Sequence, residues 1–189
     1  YTGEESLFAN YGTVVNNYRW AWSDKVNYGA PVTPIVHSVI IPNGIFYKAL
    51  EFVGVGNVVA ERLFVQVTLF IIFLAISRFL RLFTDKSSVI LIGSIFYAFS
   101  FFTFSSLWYT AKTFQLIMTP LLFVLFYNYL RKGNYIYAVY NFLVFFILQG
   151  VFINLPQLLA TMVTYIVSFL FFVYKEDVRF WKLVKTRLL

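Results

Sequence analysis

The sequence predicts an all-α protein, a polytopic bundle of transmembrane helices with an external loop region containing short amphipathic helices. Three observations predict it. The chain of 189 residues is 60% hydrophobic and only 12% charged, whereas soluble domains are about half apolar and about a quarter charged. Apolar runs near the length of a bilayer crossing recur from Leu63 onward, and about 20 apolar residues are needed per helical crossing. Basic residues cluster in alternate connections between those runs.

The first sixty residues carry three turn-like patches, NYGAP (27–31), PNG (42–44) and GVGN (54–57), because Gly and Pro punctuate loops. Between them, GIFYKALEFVG is expected to form a short amphipathic helix with Ile45, Leu50 and Phe52 on its apolar side and Lys48 and Glu51 on the other. It is too short and too charged to span a bilayer. Residues 1–60 therefore read as an external region lying on the membrane surface.

Residues 61–174 read as five membrane helices, at about 63–80, 88–108, 113–130, 135–153 and 156–174. In hydrocarbon only a helix satisfies all of its backbone hydrogen bonds within one segment. Pro120 and Pro156 are expected near segment ends, where they interfere least. Residues 175–189 form a basic cytoplasmic segment. The chain opens at Tyr1 in polar sequence, and is expected to be part of a longer protein with a further helix ending just before it.

Charge placement predicts the orientation. Arg78, Arg81 and Lys86 follow the first span, Arg131 and Lys132 the third, and Lys175, Arg179, Lys182, Lys185 and Arg187 the fifth. The alternate short loops hold only Lys112. The positive-inside rule puts the loops at 78–86, 131–134 and 175–189 in the cytoplasm and residues 1–62 outside, in a multi-pass protein of the plasma membrane. The net charge of +7 is thus topological, and no aromatic–basic interleaving argues for nucleic acid. Trp108 and Tyr109 read as outer, Tyr127 and Tyr129 as inner, members of the aromatic belts.

Cysteine is absent, which excludes disulfides, thiolate metal sites and cysteine nucleophiles. No Asp, Glu, Lys, Arg or His occurs from Ser87 to Ala111 or from Gly133 to Tyr174, and pumps and ion-coupled transporters usually need such groups at membrane depth. Gln115, Asn128, Asn141, Gln149, Asn154 and Gln157 read as interhelical hydrogen-bonding groups. Reactive candidates are therefore external: Glu4 and Glu5, then Asp24, His37, Glu51, Glu61 and Arg62. A single His without partner spacing is a poor metal site, and Asp24 beside Lys25 reads as a solvated turn. Glu61 and Arg62 read first as helix-start and headgroup contacts. Neither glycine-rich nucleotide motif is present, so a group donor would be lipid-linked. A carboxylate at the outer membrane surface, such as Glu4 or Glu5, can serve as general base for a hydroxyl attacking an activated sugar carbon. As solvated loop charges, the same two residues would have no such role.

The stretches WAWSDKVNYGAP (20–31), IPNGIFYKALEFVGVGNVVAERLF (41–64) and QGVFINLPQLLATMVTYIVSFLFF (149–172) resemble the amino-terminal region of the arabinofuranosyltransferase family, within the GT-C superfamily of membrane glycosyltransferases. Glu61 stands where that family usually has Gln, and Val151–Asn154 spaces its Asn differently. The resemblance implies transfer of a sugar, with inversion, from a polyprenyl-phosphate donor to an acceptor glycan of the cell envelope on the outer face. It places the catalytic base at Glu4 or Glu5, where the family usually carries Asp. It calls for a basic residue near the external surface to meet the lipid phosphate, for which Arg62 and Lys48 are the candidates. Some members use a divalent metal, for which this sequence shows too few ligands to argue; no other cofactor is evident. Two further readings stand beside it: a non-catalytic membrane subunit or scaffold of an envelope complex, and part of a transporter, for which no internal repeat is visible.

Overall fold

A computed structural model describes residues 43–107, 110–148 and 155–176. Among them the chain is all-helical: α1 Ile45–Phe52, α2 Asn57–Leu80, α3 Ser87–Ala98, α4 Phe101–Ser106, α5 Thr110–Lys132, α6 Ile136–Ile147 and α7 Leu155–Lys175.

The turns follow from local chemistry. Gly54, at φ 78°, closes α1 in a left-handed conformation. The Gly54 N–H bonds the Glu51 carbonyl at 2.9 Å and the Val55 N–H bonds the Leu50 carbonyl at 3.0 Å, the paired bonds of a Schellman cap. Gly133, at φ 63°, ends α5 with a single bond from its N–H to the Tyr129 carbonyl at 2.9 Å, the simpler left-handed cap, and the Asn134 side chain then accepts from the Ile136 N–H at 3.0 Å to start α6. The GVGN patch is thus a helix stop followed by a helix start.

Three helical stretches, Val58–Leu80, Lys112–Lys132 and Leu158–Lys175, are long and apolar enough to cross a membrane. The other two expected spans differ. The second is split at Phe99–Ser100 into α3 and α4. There Ser100 accepts from the Thr103 N–H at 3.2 Å, and the Thr103 hydroxyl donates back to the Tyr97 carbonyl at 2.8 Å. The side-chain cap restarts the helix inside an unbroken apolar run. The fourth is a helix of 12 residues, α6, and residues 149–154 lie outside the described part.

α5 is the hub. It packs against α2, α4, α6 and α7, while α2 also carries α1 and α3. Of an 18-residue stretch of α5, 56% is buried inside the protein, against 22% for α2 and for α7. The largest apolar cluster centres on it, joining Phe114, Leu116, Ile117, Met118 and Leu122 to Ile72, Ala98 and Leu148. A second cluster at the basic end of the bundle joins Tyr127 and Leu130 to Phe172. Phe123 is edge-on to Phe79, with centroids 5.0 Å apart.

Small hydroxyls knit the helices together, as expected where lipid supplies no hydrophobic drive between them. Ser77 on α2 donates to Ser94 on α3 at 2.8 Å, and Ser94 to the Ile90 carbonyl at 2.6 Å. Ser168 on α7 donates to the Phe123 carbonyl on α5 at 3.1 Å. The Tyr165 hydroxyl donates to Asn141 Oδ1 between α7 and α6, which gives Asn141 its expected interhelical role.

Three local expectations are corrected. Pro120 lies inside α5, not near its end. Lacking an N–H, it cannot bond the Leu116 carbonyl, and the helix surface beside it borders a cavity of about 300 Å³ shared with Thr164 and Val167 of α7. Tyr127 is not an interfacial anchor: it is fully buried, because its hydroxyl finds a carboxylate on α7. In α1 the packed residue is Tyr47, while Ile45 and Phe52 are exposed, because the Tyr47 ring seats between Phe46 and Phe64. Pro156 falls in the first turn of α7, where its missing N–H is tolerated.

Candidate functional site

Glu4, Glu5, Asp24 and His37 lie outside the described residues, as do Trp108 and Tyr109. The described part of the candidate site is the α1–α2 junction, the end of the bundle opposite the Arg131–Lys132 turn.

The junction is built on aromatic packing. Tyr47 and Phe64 have ring centroids 5.6 Å apart, and Phe46 meets Phe64 edge-on, also at 5.6 Å. Tyr47 and Ala60 are buried, with Leu50 and Val55 packed around them. Burial, and secondarily the negative charge of Glu61, push the Tyr47 phenol well above its ordinary range. It therefore stays protonated and neutral at any physiological pH. Lys48, Glu51, Glu61 and Arg62 all project from this junction and are exposed.

An apolar cavity of about 290 Å³ lies beneath the junction. Phe46 closes it from α1, Phe64, Thr68 and Ile71 wall it from α2, and Ile117 and Val144 wall it from α5 and α6. Thr68 is the one hydroxyl on this wall, and it is buried. Neither Lys48 nor Arg62 lines the cavity. Arg62 stands six residues before Thr68 on α2, about 9 Å along the helix axis at about 1.5 Å per residue. The structure thus sets two expected cations on the helix pair above an apolar chamber and does not gather them inside it.

Sequence reasoning missed Asn43. This middle residue of PNG is completely buried, and neither its side-chain oxygen nor its nitrogen has a hydrogen-bond partner. An unsatisfied buried amide costs about 1–3 kcal/mol. Its only signal in the sequence is its place in a turn, which is also where a solvated Asn would stand.

Among the described residues no group of three or more His, Asp or Glu side chains comes together as a metal cage. Of the known proteins compared, no family model, no curated protein and no solved structure matches this chain.

Proposed function

We propose that the chain is the membrane part of a GT-C-type glycosyltransferase that moves a sugar from a polyprenyl phosphate to an envelope glycan on the outer face of the plasma membrane. In this reading the protein is multi-pass, residues 1–62 face outward and the basic loops at 78–86, 131–134 and 175–189 face the cytoplasm. Glu4 or Glu5 takes the proton of the acceptor hydroxyl while its oxygen attacks the anomeric carbon from the face opposite the phosphate. The bond from that carbon to the phosphate oxygen breaks, and polyprenyl phosphate leaves with the electron pair. Arg62 and Lys48 balance the charge that develops on it.

The observation that supports this reading is the apolar chamber under the α1–α2 helix pair. An amphiphilic donor needs a greasy channel for its isoprenoid units and cations above it for its phosphate, and the junction offers both in that order. A non-catalytic scaffold is the second reading, favoured by the exposure of Phe52 (91%) and Val53 (66%) at the tip of α1, a surface a protein partner would cover.

Sugar transfer measured in membranes carrying the full-length protein tests the proposal, with Glu4→Gln, Glu5→Gln, the double change and Arg62→Gln each checked for expression. Loss of transfer in one single Glu variant that remains folded identifies the base. Normal transfer in the double variant makes both glutamates loop charges and sinks this assignment. Absence of transfer by the unaltered protein, together with capture of a partner that Phe52→Ser abolishes, favours the scaffold.

A further inference from the structure

At the opposite end of the bundle, α2, α3 and the turn between them line a cavity of about 630 Å³. Arg78 lines it from the last turn of α2, Arg81 from the C-cap of that helix, Asp85 from the connecting turn, and Ser77 and Ser87 add hydroxyls. Its remaining wall is apolar and includes Leu91, which is 51% exposed on the outer surface of α3. The cavity is therefore amphipathic, cationic at the end of the bundle and greasy along its side.

The two arginines are three residues apart on a helix, so they share one face. Neither is ion-paired with a carboxylate among the described residues. That contrasts with Arg131 at the same end, whose Nε lies 3.4 Å from Glu176 Oε1. Topology alone requires basic residues near a helix end. It does not require them to line a cavity of this size, or to leave their fork-shaped donors uncommitted. Guanidinium groups match the geometry of phosphate oxygens, and basic pockets between membrane helices suit anionic headgroups.

We infer that this cavity is a binding site for the phosphate of a membrane glycerophospholipid. Arg78 and Arg81 take the phosphate oxygens. Asp85 faces the hydrogen-bond donor at the end of the headgroup, and the acyl chains run out along the exposed Leu91 flank. The site is separate from the donor site proposed above. It rests only on α2 crossing the bilayer, which alkaline extraction of membranes checks independently.

The test is retention of phosphatidylglycerol by the full chain in a phosphate-free sugar detergent, read by native mass spectrometry and by titration. The unaltered protein is expected to keep one lipid. Arg78→Gln with Arg81→Gln should weaken binding about tenfold or more, since a charge-assisted hydrogen bond contributes over about 1.4 kcal/mol, the equivalent of one decade. Ser87→Trp changes no charge and sits at an exposed position; by filling the cavity mouth it should have the same effect, and it remains informative if the double variant fails to fold. Arg131→Gln should leave binding unchanged. Competition by inorganic phosphate as effective as by the lipid would reassign the site to a free phosphate and overturn the lipid assignment. Equal retention by all four proteins would reduce Arg78 and Arg81 to topological charges.

Discussion

The Tyr127 hydroxyl donates to Glu176 Oε1 at 2.7 Å, joining the middle of the basic end of α5 to the last residue described after α7. Glu176 also meets Arg131 of α5. Beside them Lys175 donates to the Leu82 carbonyl at the end of α2 and lies over the Phe171 ring, 5.5 Å from its centroid. Three helix ends are thus tied where the apolar stretches run out. The carboxylate is what makes burial of the Tyr127 hydroxyl tolerable. Tyr127→Phe should lower stability by about 1 kcal/mol, the ordinary net contribution of such a bond. Glu176→Gln should cost about the same, because the exposed Arg131 partner adds only up to about 1 kcal/mol. A double-mutant cycle in detergent, read by thermal unfolding, should give a coupling of about 0.5–1 kcal/mol; purely additive effects would deny the tie.

Gly93 on α3 faces α2 so closely that a Cβ there would lie 2.9 Å from Leu80 Cδ1. The obstacle is the tip of a flexible side chain, and helical glycine is itself unfavourable by about 0.5–1 kcal/mol relative to Ala. Gly93→Ala should therefore change the melting temperature little. Gly93→Leu should separate α2 from α3, break the adjacent Ser77–Ser94 bond and cost about 1–3 kcal/mol. Combining it with Leu80→Ala should recover part of that loss.

Apolar runs made the long helices legible in the sequence, and the basic connections made one end of the bundle legible. The break at Phe99–Ser100 was not, because Phe99, Phe101 and Phe102 keep the run apolar while one serine hydroxyl ends a helix and starts another. Nor was the hub. α5 is the most buried of the three long helices and the least apolar, so hydropathy alone does not point to it, although its buried residues are mostly large and apolar, among them Phe114, Met118 and Leu122. At the candidate site, Lys48 and Arg62 were legible as surface cations. The chamber beneath them was not, since its wall draws on α1, α2, α5 and α6, which only the fold brings together.

Asn141 and Tyr165 join α6 to α7 through one hydrogen bond, in a stretch without Asp, Glu, Lys, Arg or His. Such bonds average about 0.6 kcal/mol in membrane proteins, with a maximum near about 1.7. Asn141→Leu and Tyr165→Phe should each fall in that range and should not add when combined. A loss above about 3 kcal/mol for either would mean that the pair organises more of the bundle than the α6–α7 contact.

Asn43 tests what a buried amide without a hydrogen-bond partner costs. Replacing it with Leu should raise stability, by up to about 1–3 kcal/mol if the apolar side chain fits, as thermal unfolding in detergent would show. Lower stability would show that the amide has a structural partner.

Tyr47 gives the α1–α2 junction a predictable response to alkali. Burial first, and Glu61 second, hold its phenol protonated in the folded chain well above the ordinary value of about 10. Once unfolded, the phenol ionises near that ordinary value. Below about pH 10 both states carry the proton, so packing of α1 on α2 is independent of pH from this source. Above about pH 10 the unfolded state alone releases it, and stability falls by about 1.4 kcal/mol per pH unit. Protease cleavage within 45–55, followed from pH 9 to pH 11.5 with a protease active across that range, should accelerate in the unaltered protein and much less in Tyr47→Phe. Glu61→Gln should shift the onset of phenol ionisation in the folded protein only slightly downward, because Glu61 is the lesser cause. An alkaline response equal in Tyr47→Phe would place the titrating group elsewhere and leave Tyr47 as a packing residue alone.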